Sequence, residues 1–404
     1  MKIRFFNIYY LFFSIALSAA VYPSIMGIYP GNIINIGIAT LVLDELILLS
    51  SLILMILHVF KTQRISYKIS GHGGILLFIL SWIMVVFIFS VLRADNSIAI
   101  ISRDRWIFLN ALVLLMPFVY QPTSDDLTLM FHRFVIWLLI LATIKLGCYF
   151  LVGPGWFVSQ IGPSFIFMLS LSLAVYLWYS TNILGKFIAS GVVLFLSVLS
   201  QQMSAVLLTV LCVVAPIYFS YFKNFFLPSL FMLGLGLLVT ISLITVDLSS
   251  IAASYNLNPL NFTVIDKLLV YWEMWRAPFN NVSLFDFIIG RGAGYSFNMV
   301  GYNEILNEYT YASHSLAHNF IITILMKFGL VGLILFSVII FTIFQPLSRK
   351  FNFDTSVLLK LVLLLILFNF LSTPGIWKIR KGIFLWFVVG LCYFYRRYRV
   401  TENV

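Results

Sequence analysis

The chain has 404 residues, of which 62% are hydrophobic and only 10% charged, and its mean hydropathy is +1.04. Soluble globular chains are closer to half apolar and a quarter charged, so this composition excludes a cytosolic enzyme. It also excludes a disordered chain, which would be poor in aromatics and rich in charge. With 40 Phe, 20 Tyr and 9 Trp, lipid must be part of the solvent.

The net charge of +11 does not imply nucleic acid as a partner. The basic residues are scattered between apolar runs and form no continuous surface for a phosphate backbone. Cationic cytoplasmic loops account for most of them. Cys148, Cys212 and Cys392 lie inside apolar stretches, with no spacing for a disulfide framework or a paired metal site.

A spanning helix needs about 20 mostly apolar residues. In chain order the apolar runs predict an all-α polytopic membrane protein with about 12 transmembrane helices. They lie near 5–26, 35–60, 74–93, 104–120, 129–152, 164–182, 185–200, 203–221, 225–246, 317–345, 356–373 and 376–395. The first run follows Met-Lys-Ile-Arg like a signal peptide, but the many spans behind it favour an uncleaved first helix.

With an even number of spans both termini share a side. Lys2 and Arg4 at one end, and Arg396, Arg397 and Arg399 at the other, place that side in the cytoplasm. Lys61, Arg64, Lys68, Lys186, Lys223, Arg349 and Lys350 then fall inside as well. The exceptions are Arg93, Arg103, Arg105, Arg276, Arg291, Lys378, Arg380 and Lys381, which fall outside. Singly they read as snorkelling side chains, but as a set they suit an anionic lipid-linked substrate.

Three regions follow: spans one to nine over 1–246, a large extracytoplasmic loop over 247–316, and spans ten to twelve with a cytoplasmic tail over 317–404. A loop of that length is usually functional. Tyr271, Trp272, Trp275, Tyr295, Phe297, Tyr309 and Tyr311 predict an ordered cap with short helices, for example Val264–Trp275.

Of five histidines only His314 and His318 stand at i, i+4, and Ser315 occupies the place where a zinc-binding HExxH helix has Glu. No metal site and no cofactor site is therefore expected. Gly290-Arg291-Gly292-Ala293-Gly294 follows no strand of a βαβ unit, so it is no dinucleotide fingerprint. Its successive N–H groups, with an Arg in their midst, suggest a backbone anion nest. Further on, His318 and Asn319 stand where the polar loop enters an apolar helix. Gly329 lies eleven residues after His318, on the same face of a continuous helix. Gly329 and Gly332 would admit a neighbouring helix closely. Asp44 and Glu45 sit in the second apolar run, where a proton-coupled transporter would use such a pair. A late start of that helix, leaving both acids near the extracytoplasmic surface, is the preferred reading.

The His-Asn pair with Phe328-Gly329-Leu330-Val331-Gly332 behind it resembles the signature of the O-antigen ligase and polymerase (Wzy/WaaL) superfamily. Tyr271-Trp272-Glu273-Met274-Trp275, followed by Gly290–Phe297, resembles that family's loop. The motif resemblance covers about residues 264–345, and the span count extends it to the whole chain. It implies a metal-independent integral-membrane glycosyltransferase of the bacterial inner membrane. Such an enzyme takes glycan from undecaprenyl pyrophosphate and passes it, as a polymerase, to a lipid-linked repeat unit. A chain-length regulator is implied as a further partner.

Carried onto this chain, His318 is the candidate base, or the group that orients the acceptor. Arg276 and Arg291 are candidates for the pyrophosphate, with Asn319, His314 and Tyr295 as further substrate-binding candidates. The family often carries an Arg in a segment like Ser200-Gln201-Gln202-Met203-Ser204-Ala205, where this chain has none. Arg103, Arg105 or Arg380 would then supply that cation. The rival readings are a ligase acting on lipid A–core and a polysaccharide flippase or transporter. The concentration of polar residues in one asymmetric late loop favours an enzyme.

Overall fold

The computed structural model describes residues 6–21, 32–36, 39–62, 71–93, 98–153, 161–200, 203–221, 275–280, 282–303, 308–314, 319–344, 353–371 and 379–401. Among these, helices dominate: α1 (Phe6–Val21), α2 (Leu43–Thr62), α3 (Gly71–Leu92), α4 (Ile98–Leu112), α5 (Met116–Tyr120), α6 (Ser124–Val152), α7 (Pro163–Tyr179), α8 (Ile183–Leu199) and α9 (Met203–Tyr221). After the polar segment come α10 (Leu284–Ile289), α11 (Phe320–Phe344), α12 (Phe353–Leu371) and α13 (Ile379–Thr401).

Among the described residues three stretches are long and apolar enough to cross a membrane: Leu43–Lys61, Asp125–Val152 and Phe320–Phe344. Shorter apolar helices, such as Phe6–Val21 and Pro163–Tyr179, accompany them. Every expected span except 225–246, which lies outside the described residues, coincides with a helix. The fourth is broken by a 3₁₀ turn over Val113–Leu115 ahead of Pro117, then resumes as α5. The boundary between the seventh and eighth spans holds, with α8 ending at Leu199 and α9 starting at Met203.

Two antiparallel hairpins interrupt the helical pattern. The first pairs β1 (Asn32–Ile36) with β2 (Ala39–Val42) and occupies the early part of the expected second span. Asn32, Asn35 and Gly37 weaken the apolar run there, and α2 accordingly starts only at Leu43. The second pairs β3 (Phe297–Asn303) with β4 (Glu308–His314), in register from Phe297 opposite His314 to Asn303 opposite Glu308. The expected loop of short helices thus contains α10 and this hairpin. Val264–Trp275 is described only at Trp275.

The helices are started and joined by local chemistry. Thr123 and Asp126 form a capping box at the head of α6, satisfying N–H groups that a helix start leaves without partners. Asn182 caps α8 by accepting from the Gly185 N–H. At one end of the bundle Asn7 of α1 donates to the Ser51 carbonyl and the Tyr120 hydroxyl, at 2.7 and 2.6 Å. That ties α1, α2 and α5 through one buried amide. The apolar core is continuous across α1, α7, α11, α12 and α13.

Candidate functional site

The opposite end of the bundle gathers the charged residues. It is made by the end of α1, the starts of α2, α11 and α13, and the N-terminal half of α4. Asp44 and Glu45 lie in the first turn of α2, so the late start holds. They are not at a surface, however: both are buried. Asp44 accepts from Arg380 Nε at 2.8 Å and from the Ser18 hydroxyl. Glu45 takes the forked grip of Arg105, at 2.7 and 2.9 Å. Carboxylates removed from water need such charged donors.

One residue before Arg105, Asp104 meets Lys327 of α11 in an ion pair whose side chains are 3% and 1% exposed. Asp104 Oδ2 also accepts from the Gly294 N–H at 2.9 Å. Lys327 donates to the Tyr295 carbonyl at 3.3 Å. This pair therefore binds the Gly290–Gly294 turn to α4 and α11 together.

That turn is a strap rather than an anion nest. All five of its N–H groups donate to protein acceptors. Gly290 donates to the Asp286 carbonyl, Arg291 to Met326 and Gly292 to Lys327, at 2.8, 2.8 and 3.1 Å. Ala293 donates to Ser90 Oγ at 2.6 Å, and Gly294 to Asp104. Their donor capacity is spent on the fold, so the expectation of a phosphate cradled by these amides is corrected.

The acceptors at Met326 and Lys327 exist because α11 is interrupted. Gly329 has φ 65° and ψ −170°, a non-helical conformation inside the helix. A Cβ at Gly329 would come within 3 Å of the Ile288 carbonyl and the Gly290 nitrogen. One at Gly290 would come as close to the Lys327 carbonyl and the Gly329 nitrogen. Two backbones touch here, as only paired glycines allow. Gly329 therefore receives the end of α10 and the turn that follows it, while the expected alignment with His318 lies outside the described residues.

Arg291, Tyr295 and Asp286 form the part-exposed rim of this strap. The Arg291 guanidinium sits 4.6 Å over the Tyr295 ring and donates to its hydroxyl. Its Nε lies 3.8 Å from Asp286 Oδ2, and Arg93, the residue after α3, grips Asp286 Oδ1. Burial acts to raise the Asp286 pKa. Hydrogen bonds from Arg93 and at Ser283, with the charges of Arg93 and Arg291, outweigh it and hold the carboxyl below its ordinary value.

The remaining candidates separate. His318 lies outside the described residues. His314 is in β4, opposite Phe297. Asn319 is buried and spends its side-chain oxygen as the cap of α11, accepting from Ile321 and Ile322 at 2.9 and 3.3 Å. Arg380 is buried between Asp44 and Ser18, a bundle-internal cation rather than a rim residue. Arg105 stays part-exposed beside Glu45. Arg276 precedes the 3₁₀ turn Ala277–Phe279 and is half-buried. The backbone of Arg103 lies in α4.

The sequence reading missed Asp104, and it quoted Lys327 only as part of a motif. An ionisable residue inside an apolar helix is itself the signal, and Lys327 in Phe320–Phe344 fits it. No family model matches the chain, and no curated protein matches it.

Proposed function

We propose that this chain is a membrane-embedded O-antigen-type polymerase, moving a growing glycan from undecaprenyl pyrophosphate onto a lipid-linked repeat unit. One observation carries the reading. The two segments whose sequences resemble the O-antigen ligase and polymerase superfamily, Gly290–Gly294 and Phe328–Gly332, touch backbone to backbone at Gly290 and Gly329, and the first donates N–H groups to Met326 and Lys327 just ahead of the second. They meet beside a concentration of arginines, at the end of α11 that His318 precedes. Twelve spans, cytoplasmic termini and an extracytoplasmic 247–316 belong to the same proposal.

In the reaction an acceptor hydroxyl attacks the anomeric carbon of the donor sugar, and the bond from that carbon to the pyrophosphate oxygen breaks. His318 takes the hydroxyl proton, since imidazole is the side chain suited to that task near neutral pH. The departing pyrophosphate gathers negative charge. Arg291 stabilises it from the rim, and one preorganised donor of this kind is worth about 3–4 kcal/mol of barrier. Tyr295 presents a ring face and a hydroxyl to a sugar.

The test is the glycan pattern of a deletion strain complemented with wild-type or His318→Ala protein. Single repeats on lipid A–core in the deletion, not restored by His318→Ala, support the polymerase. Loss of all capped core supports a ligase instead. An unchanged pattern overturns both.

A further inference from the structure

We propose that Ser283–Gly294 is a re-entrant element, docked within the membrane, and that α10 rests its outer face on the lipid acyl chains of that leaflet. Depth is the first argument. Phe320–Phe344 is long and apolar enough to cross a membrane, and its helix runs unbroken from Phe320 up to the kink at Gly329. Met326 and Lys327, which accept from the strap, lie about 10 Å along it from Phe320, so the docking carbonyls fall well within that apolar stretch.

Non-helical backbone at such depth persists only where the protein satisfies its polar groups. The strap meets that demand: the five successive N–H groups of Gly290–Gly294 all have protein acceptors. A water-exposed surface turn has no need of so complete a set.

The two faces of α10 give the second argument. Its inner side carries Asp286, held by Arg93 and facing Arg291. Its outer side carries Leu284, Phe285 and Ile288, exposed by 76%, 54% and 38%. This apolar face continues onto α3. The Phe89 and Phe285 rings are 6.3 Å apart, and Ile88 and Leu92 are also exposed. Leu80–Leu92 is itself one of the apolar helices, so its outward face and that of α10 share one solvent. Acyl chains are the occupant that suits both.

The experiment uses the full chain in vesicles of phosphatidylethanolamine and phosphatidylglycerol, with Cys148, Cys212 and Cys392 replaced by Ala. A nitroxide is attached through Leu284→Cys or, independently, Phe285→Cys. Collision rates with oxygen and with a water-soluble nickel chelate are compared with those of labels at Phe150, exposed on α6, and Asp125, exposed at the head of α6. We expect an oxygen-to-nickel ratio like that at Phe150 and several-fold above that at Asp125. A ratio like that at Asp125 overturns the proposal. So does a label shielded from both reagents, which would mean that protein, such as residues 225–246, covers α10. The readout needs no glycan turnover, so it stands or falls apart from the proposed activity.

Discussion

Gly329 is where the chain's two most informative motifs meet, and its backbone has no room for a side chain. Its φ of 65° and the approach of Ile288 and Gly290 leave a Cβ nowhere to go. Gly329→Ala or Gly290→Ala should therefore cost about 1–3 kcal/mol and release the strap. Gly191→Ala in α8, where nothing lies within 4 Å of the added Cβ, should be neutral or stabilising by up to about 1 kcal/mol. Unfolding midpoints of the three purified variants decide this, and equal effects at all three would refute the contact. Asp104 and Lys327 carry a second prediction. Removing one charge of a buried pair leaves the other uncompensated, so Asp104→Asn or Lys327→Met should destabilise by about 3–5 kcal/mol. The double variant removes both charges yet keeps an acceptor for Gly294, and it should recover most of the loss. Additive losses in the same melts would mean that the pair does not act as a unit. Lys327 was legible as a charge inside an apolar helix. Its partner was not, because 223 positions separate them and no local pattern spans that distance.

At the scale of elements, apolar runs predicted the helices well because each spanning segment must satisfy its own backbone. The late start of α2 is legible too, since Asn32, Asn35 and Gly37 weaken the run that forms β1 and β2 instead. The β3–β4 hairpin had a readable trace, the alternation of Tyr309 and Tyr311 with Thr310 and Ala312. The polar segment around it reads instead as short helices, which masks that trace.

Across the whole molecule, four of the cations that break the positive-inside pattern have carboxylate partners inside the protein. Arg380 pairs with Asp44, Arg105 with Glu45, and Arg93 and Arg291 share Asp286. These partners chain α13, α2 and α4 together, and Asp104–Lys327 carries the series on to α11 and the strap. Such cations are held by carboxylates within the bundle, not in free loops where Lys and Arg direct insertion. In the proposed orientation the other end, where Lys61 ends α2 and Lys186 lies in the first turn of α8, faces the cytoplasm. The Tyr395 hydroxyl donates to the Pro122 carbonyl at 2.9 Å, so the end of α13 lies beside the start of α6. Asp125 and the basic tail then share a side, the cytoplasmic one in that proposal. A membrane-impermeant maleimide added to intact spheroplasts, with the native cysteines replaced, should therefore react with Tyr302→Cys in β3. It should leave Asp125→Cys unlabelled until the membrane is permeabilised. Labelling of Asp125→Cys from outside, with Tyr302→Cys protected, would invert the bundle. The charged layer would then face the cytoplasm, and the periplasmic polymerase reading would fall with it.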